Sequence, residues 1–149
     1  MNNLEKHALS LGKLWTNFNS LELLLRFYIA KKLGEPDIGL DGKVGEILNV
    51  NPITDYRTFR QLTSKYNELS ETTLNFEPIE KLRDALAHGR IFTNDDTPMT
   101  VVKFSKPKRS QSDKTTVEYR EVLTLKFLSE KNSFLRDLIK QVADAMPNS

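Results

Sequence analysis

The chain has 149 residues, which is enough for one domain with a substantial core. Lysine and arginine number 22 against 20 aspartates and glutamates, so the net charge of +2 indicates no particular partner. Cysteine is absent, which excludes disulfides, thiolate catalysis and cysteine-ligated zinc. No apolar run reaches the length of a membrane span, and the start MNNLEKHALS lacks a signal-peptide pattern, which predicts a cytoplasmic protein without a membrane partner.

A long amphipathic helix is predicted to open the chain. Apolar residues recur every three or four positions from Leu4 to Ile29, a spacing that keeps one stripe of side chains on one face. Glu22 lies on this stripe, where a carboxylate needs a cation or hydrogen-bond donors to offset its burial. His7, among charged residues near the start of the helix, is predicted to be a surface histidine.

Three segments follow before residue 90. The glycine-rich residues 34–51 predict a loop that contains at most one short helix, Lys43 to Leu48. A third helix is predicted from about Thr54 to Glu71 and a fourth from about Phe76 to His88. Gly89 is of the type that takes the left-handed position after a helix end.

The period of the apolar pattern then changes. TNDDTP, residues 93–98, has turn chemistry, whereas residues 99–104 and 115–127 alternate and are rich in β-branched and aromatic side chains, which predicts a hairpin. Ser129 is predicted to cap a last helix from about Glu130 to Met146.

The order of these elements predicts the fold class. Helices, a hairpin and a closing helix follow one another without the strand and helix alternation of a parallel sheet. We expect a mainly α protein, a single domain over residues 1–149, built as a bundle of about four to five helices with a β-hairpin insertion at about 99–127 before the last helix.

Motifs for several chemistries are missing. The sequence has no phosphate-binding glycine loop, no HExxH and no GxSxG. Glu80, Asp84 and His88, at i, i+4 and i+8, would share one helical face and offer three ligands to a divalent ion. Charges at this spacing more often form a solvated face, so we predict no metal and no cofactor.

One short motif carries functional information. RDALAHG, Arg83 to Gly89, resembles the signature of the HEPN superfamily, named for higher eukaryotes and prokaryotes nucleotide-binding domains. That signature is an arginine, usually followed by a polar residue, and a histidine four to six residues later, near the end of a late helix in an all-α bundle. The long first helix, including Glu22, is also similar to the opening helix of many such domains.

The resemblance implies a metal-independent endoribonuclease with a composite site across a homodimer. Arg83 and His88 are about 140° apart around a helix, so a two-fold axis would bring them together more readily than one chain. His88 would act as general base or acid, and Arg83 would bind the scissile phosphate. Asp84, on the face of His88, would orient the imidazole, and the products would carry 2′,3′-cyclic phosphate and 5′-hydroxyl ends.

Positive charge near the predicted hairpin tip indicates an RNA contact that reads phosphates and not bases. The predicted phosphate contacts are Lys103, Lys106, Lys108, Arg109, Lys114 and Arg90. Each role has a plainer alternative. These alternatives are a tip that is only solvated, an Asp84 that is only a solvated neighbour of His88, and a structural ion pair between Arg83 and Glu22.

Two functional hypotheses follow from the resemblance. The first is a ribonuclease of a toxin–antitoxin or phage-defence system, restrained by an antitoxin such as a small nucleotidyltransferase. The second is a non-catalytic HEPN dimer that binds a nucleotide, RNA or a protein partner through the same cleft. A metal-dependent phosphodiesterase is a distant third.

Overall fold

The protein is described by a computed structural model that covers residues 1–36, 38–93 and 98–148. Within them the chain forms four helices and one three-stranded antiparallel sheet of order β1-β2-β3. In chain order the elements are α1 Asn3–Leu33, α2 Phe59–Leu69, α3 Glu77–His88, β1 Arg90–Phe92, β2 Met99–Phe104, β3 Val117–Leu123 and α4 Leu125–Asp144. The mainly α class with a hairpin before the last helix is confirmed. Strand β1 was not predicted, and residues 94–97 of the predicted turn lie outside the described residues.

Two compact units divide the chain. One comprises Met1–Trp15 and Glu77–Ser133, and the other comprises Thr16–Phe76 and Phe134–Ser149. Helices α1 and α4 each contribute residues to both units. The single domain over residues 1–149 stays a prediction. None of the helices in the described part of the chain combines the length and the apolar character that a bilayer span requires.

The second unit has an aromatic core. The rings of Tyr28 and Tyr66 lie 4.5 Å apart, and Phe76 meets Tyr66 edge to face at 6.0 Å. Helix α2 begins at Phe59, five residues later than predicted, because Thr58 and Gln61 form a reciprocal capping box. Residues 43–48 contain a turn and no helix.

The apolar stripe of α1 is confirmed from Phe18 onward but only in part before it, where Leu14 is buried and Leu4 is exposed. Phe18, Leu21 and Leu25 are fully buried, whereas Trp15 is 42% exposed. His7, predicted at the surface, is buried, and its Nδ1 donates to the carbonyl of Asn3 at 2.7 Å. A bond to its own helix satisfies one ring nitrogen without a distant partner, which makes burial of this histidine tolerable.

Helix α3 packs against the sheet, and its end is tight. A Cβ atom at Gly89 would lie 2.5 Å from the Ala85 carbonyl oxygen and 2.6 Å from that of Val102. The φ of Gly89 is not positive, so the predicted left-handed position is wrong. Glycine is needed here because the backbone passes directly from α3 into β1 beside strand β2.

Helix α4 begins at Leu125 and not near Glu130. The hydroxyl of Thr124 accepts a hydrogen bond from the amide of Phe127 at 3.0 Å, so Thr124 is the cap and Ser129 is not. The prediction failed because LTLKF alternates like a strand, although Leu128 belongs to the buried face of the helix. Asn132 then donates to the Ser10 carbonyl and Lys131 to the Pro78 carbonyl, which joins α4 to α1 and α3 within the first unit.

Candidate functional site

The two residues of the motif differ in their surroundings. Arg83, in the middle of α3, is half-buried, and its guanidinium lies 5.2 Å from the centre of the Trp15 ring. That distance is within the range of a cation–π interaction. His88 is the last residue of α3 and is exposed. Among the described residues, none forms a hydrogen bond or ion pair with its imidazole, so the ring is accessible to a ligand.

Asp84 contacts strand β2. The ammonium of Lys103 pairs with a carboxylate oxygen of Asp84 and lies 2.7 Å from one of Glu118. Hydrogen bonds to these two carboxylates raise the pKa of Lys103 above its ordinary value. The structure therefore brings Asp84 to Lys103, and not to His88 as predicted. This ion-paired cluster joins α3 to β2 and β3.

Lys103 is accordingly misplaced in the prediction. It lies within β2, not at the hairpin tip, and its charge is matched by two carboxylates. The two carboxylates offset the positive charge of this lysine, so it attracts a phosphate less than an unpaired lysine would. Among the predicted phosphate contacts, Lys103 is therefore the one that the geometry supports least.

The connection between β2 and β3 presents the other predicted cations. Lys106, Lys108, Arg109 and Lys114 are all exposed. The loop has internal order, since the Ser105 and Thr116 backbones are hydrogen-bonded at 2.8 Å and Lys108 bridges to Gln111. Lys114 has the carboxylate of Asp113 at 3.9 Å, and Asp113 is itself exposed. We call residues 105–116 the basic loop.

Glu22 has a cation one helical turn away. Its carboxylate lies 3.6 Å from the guanidinium of Arg26, which is itself buried. Arg26 also donates to Asp55 at 2.7 Å, to the Pro52 carbonyl at 2.8 Å and to the Arg57 carbonyl at 3.1 Å. Glu22 therefore belongs to a cluster in the second unit, whereas Arg83 belongs to the first. Its pairing with Arg83 stays a prediction.

Arg90 lies on β1, where the strand register gives it neighbours that the sequence did not reveal. Arg90 is opposite Val102 on β2, and Val102 is opposite Arg120 on β3. Residues that oppose each other across antiparallel strands project from the same face of a sheet. Arg90 and Arg120 therefore share one face, although 30 positions in the sequence separate them.

Two aromatic residues were also missed. Trp15 was assigned to the apolar stripe, yet it is the aromatic partner of Arg83. Phe92 lies under the guanidinium of Arg120, 5.6 Å from the ring centre. A lone exposed aromatic residue has no signature in a sequence, and the strand that carries Phe92 is too short for its pattern to be recognised.

The alternative metal site has no support in this geometry. The described residues hold no group of three or more histidine, aspartate or glutamate side chains placed to ligate a metal ion. Glu80, Asp84 and His88 share a helix but do not form such a group.

Comparisons with known proteins add no relatives to this picture. No protein-family model, curated protein or solved structure matches the chain.

Proposed function

We propose that this chain is a HEPN-type, metal-independent endoribonuclease that acts as a homodimer through Arg83 and His88. The exposed imidazole at the end of α3 is the observation that carries the proposal, because a general acid or base must be reachable by its substrate. The R-x4-H spacing supplies the family context, which is that of toxin–antitoxin and phage-defence ribonucleases. An antitoxin such as a small nucleotidyltransferase would restrain the enzyme by covering this helix end.

The proposed reaction is a transesterification followed by release of the leaving strand. His88 of one protomer removes the proton of a ribose 2′-hydroxyl, and the 2′-oxygen attacks the adjacent phosphorus. The bond from phosphorus to the 5′-oxygen breaks, and the leaving oxygen takes a proton from the imidazolium of the partner's His88. Arg83 binds the non-bridging phosphate oxygens, whose negative charge grows in the transition state. The products have 2′,3′-cyclic phosphate and 5′-hydroxyl ends.

A dimer is part of the proposal because one helix separates the two side chains. Arg83 and His88 project in directions about 140° apart around α3. Two copies of the helix related by a two-fold axis would place two arginines and two histidines around one phosphate. Trp15, 42% exposed beside Arg83, is available as an apolar contact for the second copy.

The test is cleavage of a mixed tRNA and mRNA pool in EDTA, with analysis of the fragment ends. Wild-type protein is compared with His88→Ala and with Lys81→Ala, a matched change at an exposed position of the same helix. We expect cyclic phosphate ends from wild type and Lys81→Ala, and a loss of about 10²- to 10⁴-fold for His88→Ala. Equal cleavage by His88→Ala and wild type, from folded protein, would reject the proposal.

A non-catalytic HEPN dimer is the second candidate, and two contacts favour it. Arg83 is stacked on Trp15 and Asp84 is paired with Lys103, so both have structural roles already. In that case the same helix end would bind a nucleotide, RNA or a protein without cleavage. Binding of RNA by wild type that leaves every substrate intact would select this candidate.

A further inference from the structure

One face of the sheet carries a surface that the motif does not involve. Cross-strand partners share a face, so the regular register puts Phe92, Thr100 and Val122 on one face together with Arg90, Val102 and Arg120. Phe104 follows Val102 by two residues along β2 and is on the same side, where its partner Val117 comes after an irregularity in the register. We call this the open face. Its exposed members are Arg90, Phe92, Phe104, Val117, Arg120 and Val122.

The opposite face of the sheet is covered at β2 and β3, although Ile91 of β1 is 43% exposed there. Val101 and Leu123, which project there, are fully buried, and Lys103 on the same side reaches Asp84 of α3. On the open face, by contrast, Phe104 is 45% exposed and Phe92 is 38% exposed. Two phenylalanine rings at the surface of one small sheet have an energetic cost in water unless something else binds them.

The central strand of the open face is shielded by an arginine. Arg120 on β3 places its guanidinium over the Phe92 ring on β1, and β2 runs between these strands. Thr100 and Val102 lie on the open face of β2, between the strands of this pair, and are only 8% and 6% exposed. The guanidinium presents a flat, cationic upper surface.

Charge on this surface is of one sign. Among the described residues, the charged side chains of the open face are Arg90 and Arg120, and both are cationic. Strand β2 ends at Phe104, and the basic loop with Lys106, Lys108 and Arg109 follows directly. Acidic residues of β3 are engaged elsewhere: Glu118 pairs with Lys103, and Glu121 is opposite Val101 on the covered face.

We propose that the open face and the basic loop bind single-stranded RNA, with bases stacked on Phe104 and on the Arg120–Phe92 pair and phosphates bound by Arg90 and the loop cations. Exposed aromatic rings on a sheet, bordered by arginines and lysines, provide both contacts that a single strand needs. Phe92 is opposite Thr100, which is four residues from Phe104 along β2. This separation of about 13 Å matches about four nucleotides at stacked spacing. The choice of RNA over DNA rests on the proposed function. The inference that this surface binds a single strand does not depend on it.

Binding is measured by fluorescence anisotropy with a labelled 2′-O-methyl RNA of about 12 nucleotides. This probe lacks the 2′-hydroxyl that the proposed cleavage uses, so binding is observed whether or not the protein is an enzyme. The variants are Phe92→Leu, Phe104→Leu and their combination, which keep the surface apolar but remove the rings. Tyr56→Leu is the matched control, because Tyr56 is an exposed aromatic in the other unit.

We expect each phenylalanine variant to bind about tenfold more weakly and Tyr56→Leu to bind like wild type. The salt dependence separates stacking from phosphate contacts. Lys108→Gln with Arg109→Gln should lower the slope of log affinity against log salt by about 1.4, whereas the phenylalanine variants should leave it unchanged. Lys43→Gln, at an exposed position of the other unit, is the control for charge.

Three outcomes would overturn this inference. The first is binding by the double phenylalanine variant that equals that of wild type, and the second is an equal loss of binding for Tyr56→Leu. The third is a changed oligomeric state of the phenylalanine variants in sedimentation velocity, which would make the open face an interface between copies. Lys81→Ala should bind the probe normally. If wild type binds the probe but does not cleave ordinary RNA, only the proposed function is rejected. If wild type cleaves RNA and the phenylalanine variants bind the probe as well as wild type does, only this inference is rejected.

Discussion

Two helical arginines, one in each unit, have opposite surroundings. Arg26 on α1 is buried and donates to Asp55 and to two backbone carbonyls of residues 52–57, in contact range of Glu22. Arg83 on α3 is half-buried, has its guanidinium 5.2 Å from the centre of the Trp15 ring, and is followed by an exposed histidine at the helix end. The first arginine connects a helix to a loop, whereas the second contacts an exposed aromatic ring.

The difference shows what separates a structural charge from a candidate functional one. A buried guanidinium needs several hydrogen bonds to offset its lost hydration, and the carbonyls around Arg26 provide them. A guanidinium that is to bind phosphate must keep donors accessible, which stacking on an aromatic ring allows. The two regions should therefore respond differently to substitution, one in stability and the other in activity.

The largest effect is expected for Arg83→Lys. A lysine retains the charge and a cation–π contact with Trp15 but cannot form the planar bidentate contact with phosphate. RNA cleavage should fall about 10²- to 10³-fold, while the free energy of unfolding changes by less than about 1 kcal/mol. Cleavage rates and urea unfolding, measured on the same preparation, check both parts. A large loss of stability with unchanged cleavage per folded molecule would make Arg83 structural, as Arg26 is.

Arg26→Ala should have the next largest effect, this time on folding. Removing the guanidinium takes the side-chain donor from two carbonyls and leaves Asp55 with donors from Arg57 alone, which we expect to lower the free energy of unfolding by about 3 kcal/mol. Urea unfolding followed by circular dichroism measures it. The exposed Lys13→Ala on the same helix serves as control and should change stability by less than about 0.5 kcal/mol. An Arg26→Ala protein as stable as this control would remove the contrast between the two regions.

The smallest effect concerns alkaline pH and the sheet beside α3. Burial raises the pKa of Tyr119 to about 12, with the nearby Glu121 adding to the shift. A raised pKa in the folded state means that stability is complete below the ordinary value near 10 and is lost as pH rises from about 10 through about 12. The Tyr119→Phe variant should show a shallower decline over that range, by less than about 1 kcal/mol after solvent screening.

Tyrosinate absorbance provides the direct check on Tyr119. The folded wild type should show one tyrosine that ionises at unusually high pH, and this ionisation should be absent from Tyr119→Phe. Lys103, opposite Tyr119 in the register, also has a raised pKa and contributes a decline of the same sign, so Tyr119→Phe should not abolish the alkaline decline altogether. A variant whose alkaline stability profile coincides with that of wild type would show that Tyr119 ionises freely.

Local patterns predicted a large part of the fold. The 3.6-residue period located α1 and α3, and the alternation in MTVVKF located β2. Errors occurred where two signals competed. LTLKF alternates like a strand but contains the start of α4. Tyr56 stands at helical spacing from Phe59, but it is exposed and precedes α2, which begins after the Thr58 cap. Strand β1 has three residues, too few for a period to be recognised.

The candidate site was predictable in part for the same reason. Arg83 and His88 lie within one helix, and their spacing and helix-end position can be read from consecutive residues. The partners of that helix cannot. Trp15 is 68 positions from Arg83 and Lys103 is 19 positions from Asp84, and no local pattern relates the members of these pairs.

The sequence by itself determined the helical segments, the hairpin and the R-x4-H motif, because backbone propensity and periodic burial act over a few residues. Only the tertiary structure decided which charges are matched and which face water. It assigned Lys103 to a pair of carboxylates, left the basic loop exposed, and combined Phe92, Phe104, Arg90 and Arg120 on one face of a sheet. Strand register and packing bring together residues that are distant in the chain, and these long-range contacts carry no local signature.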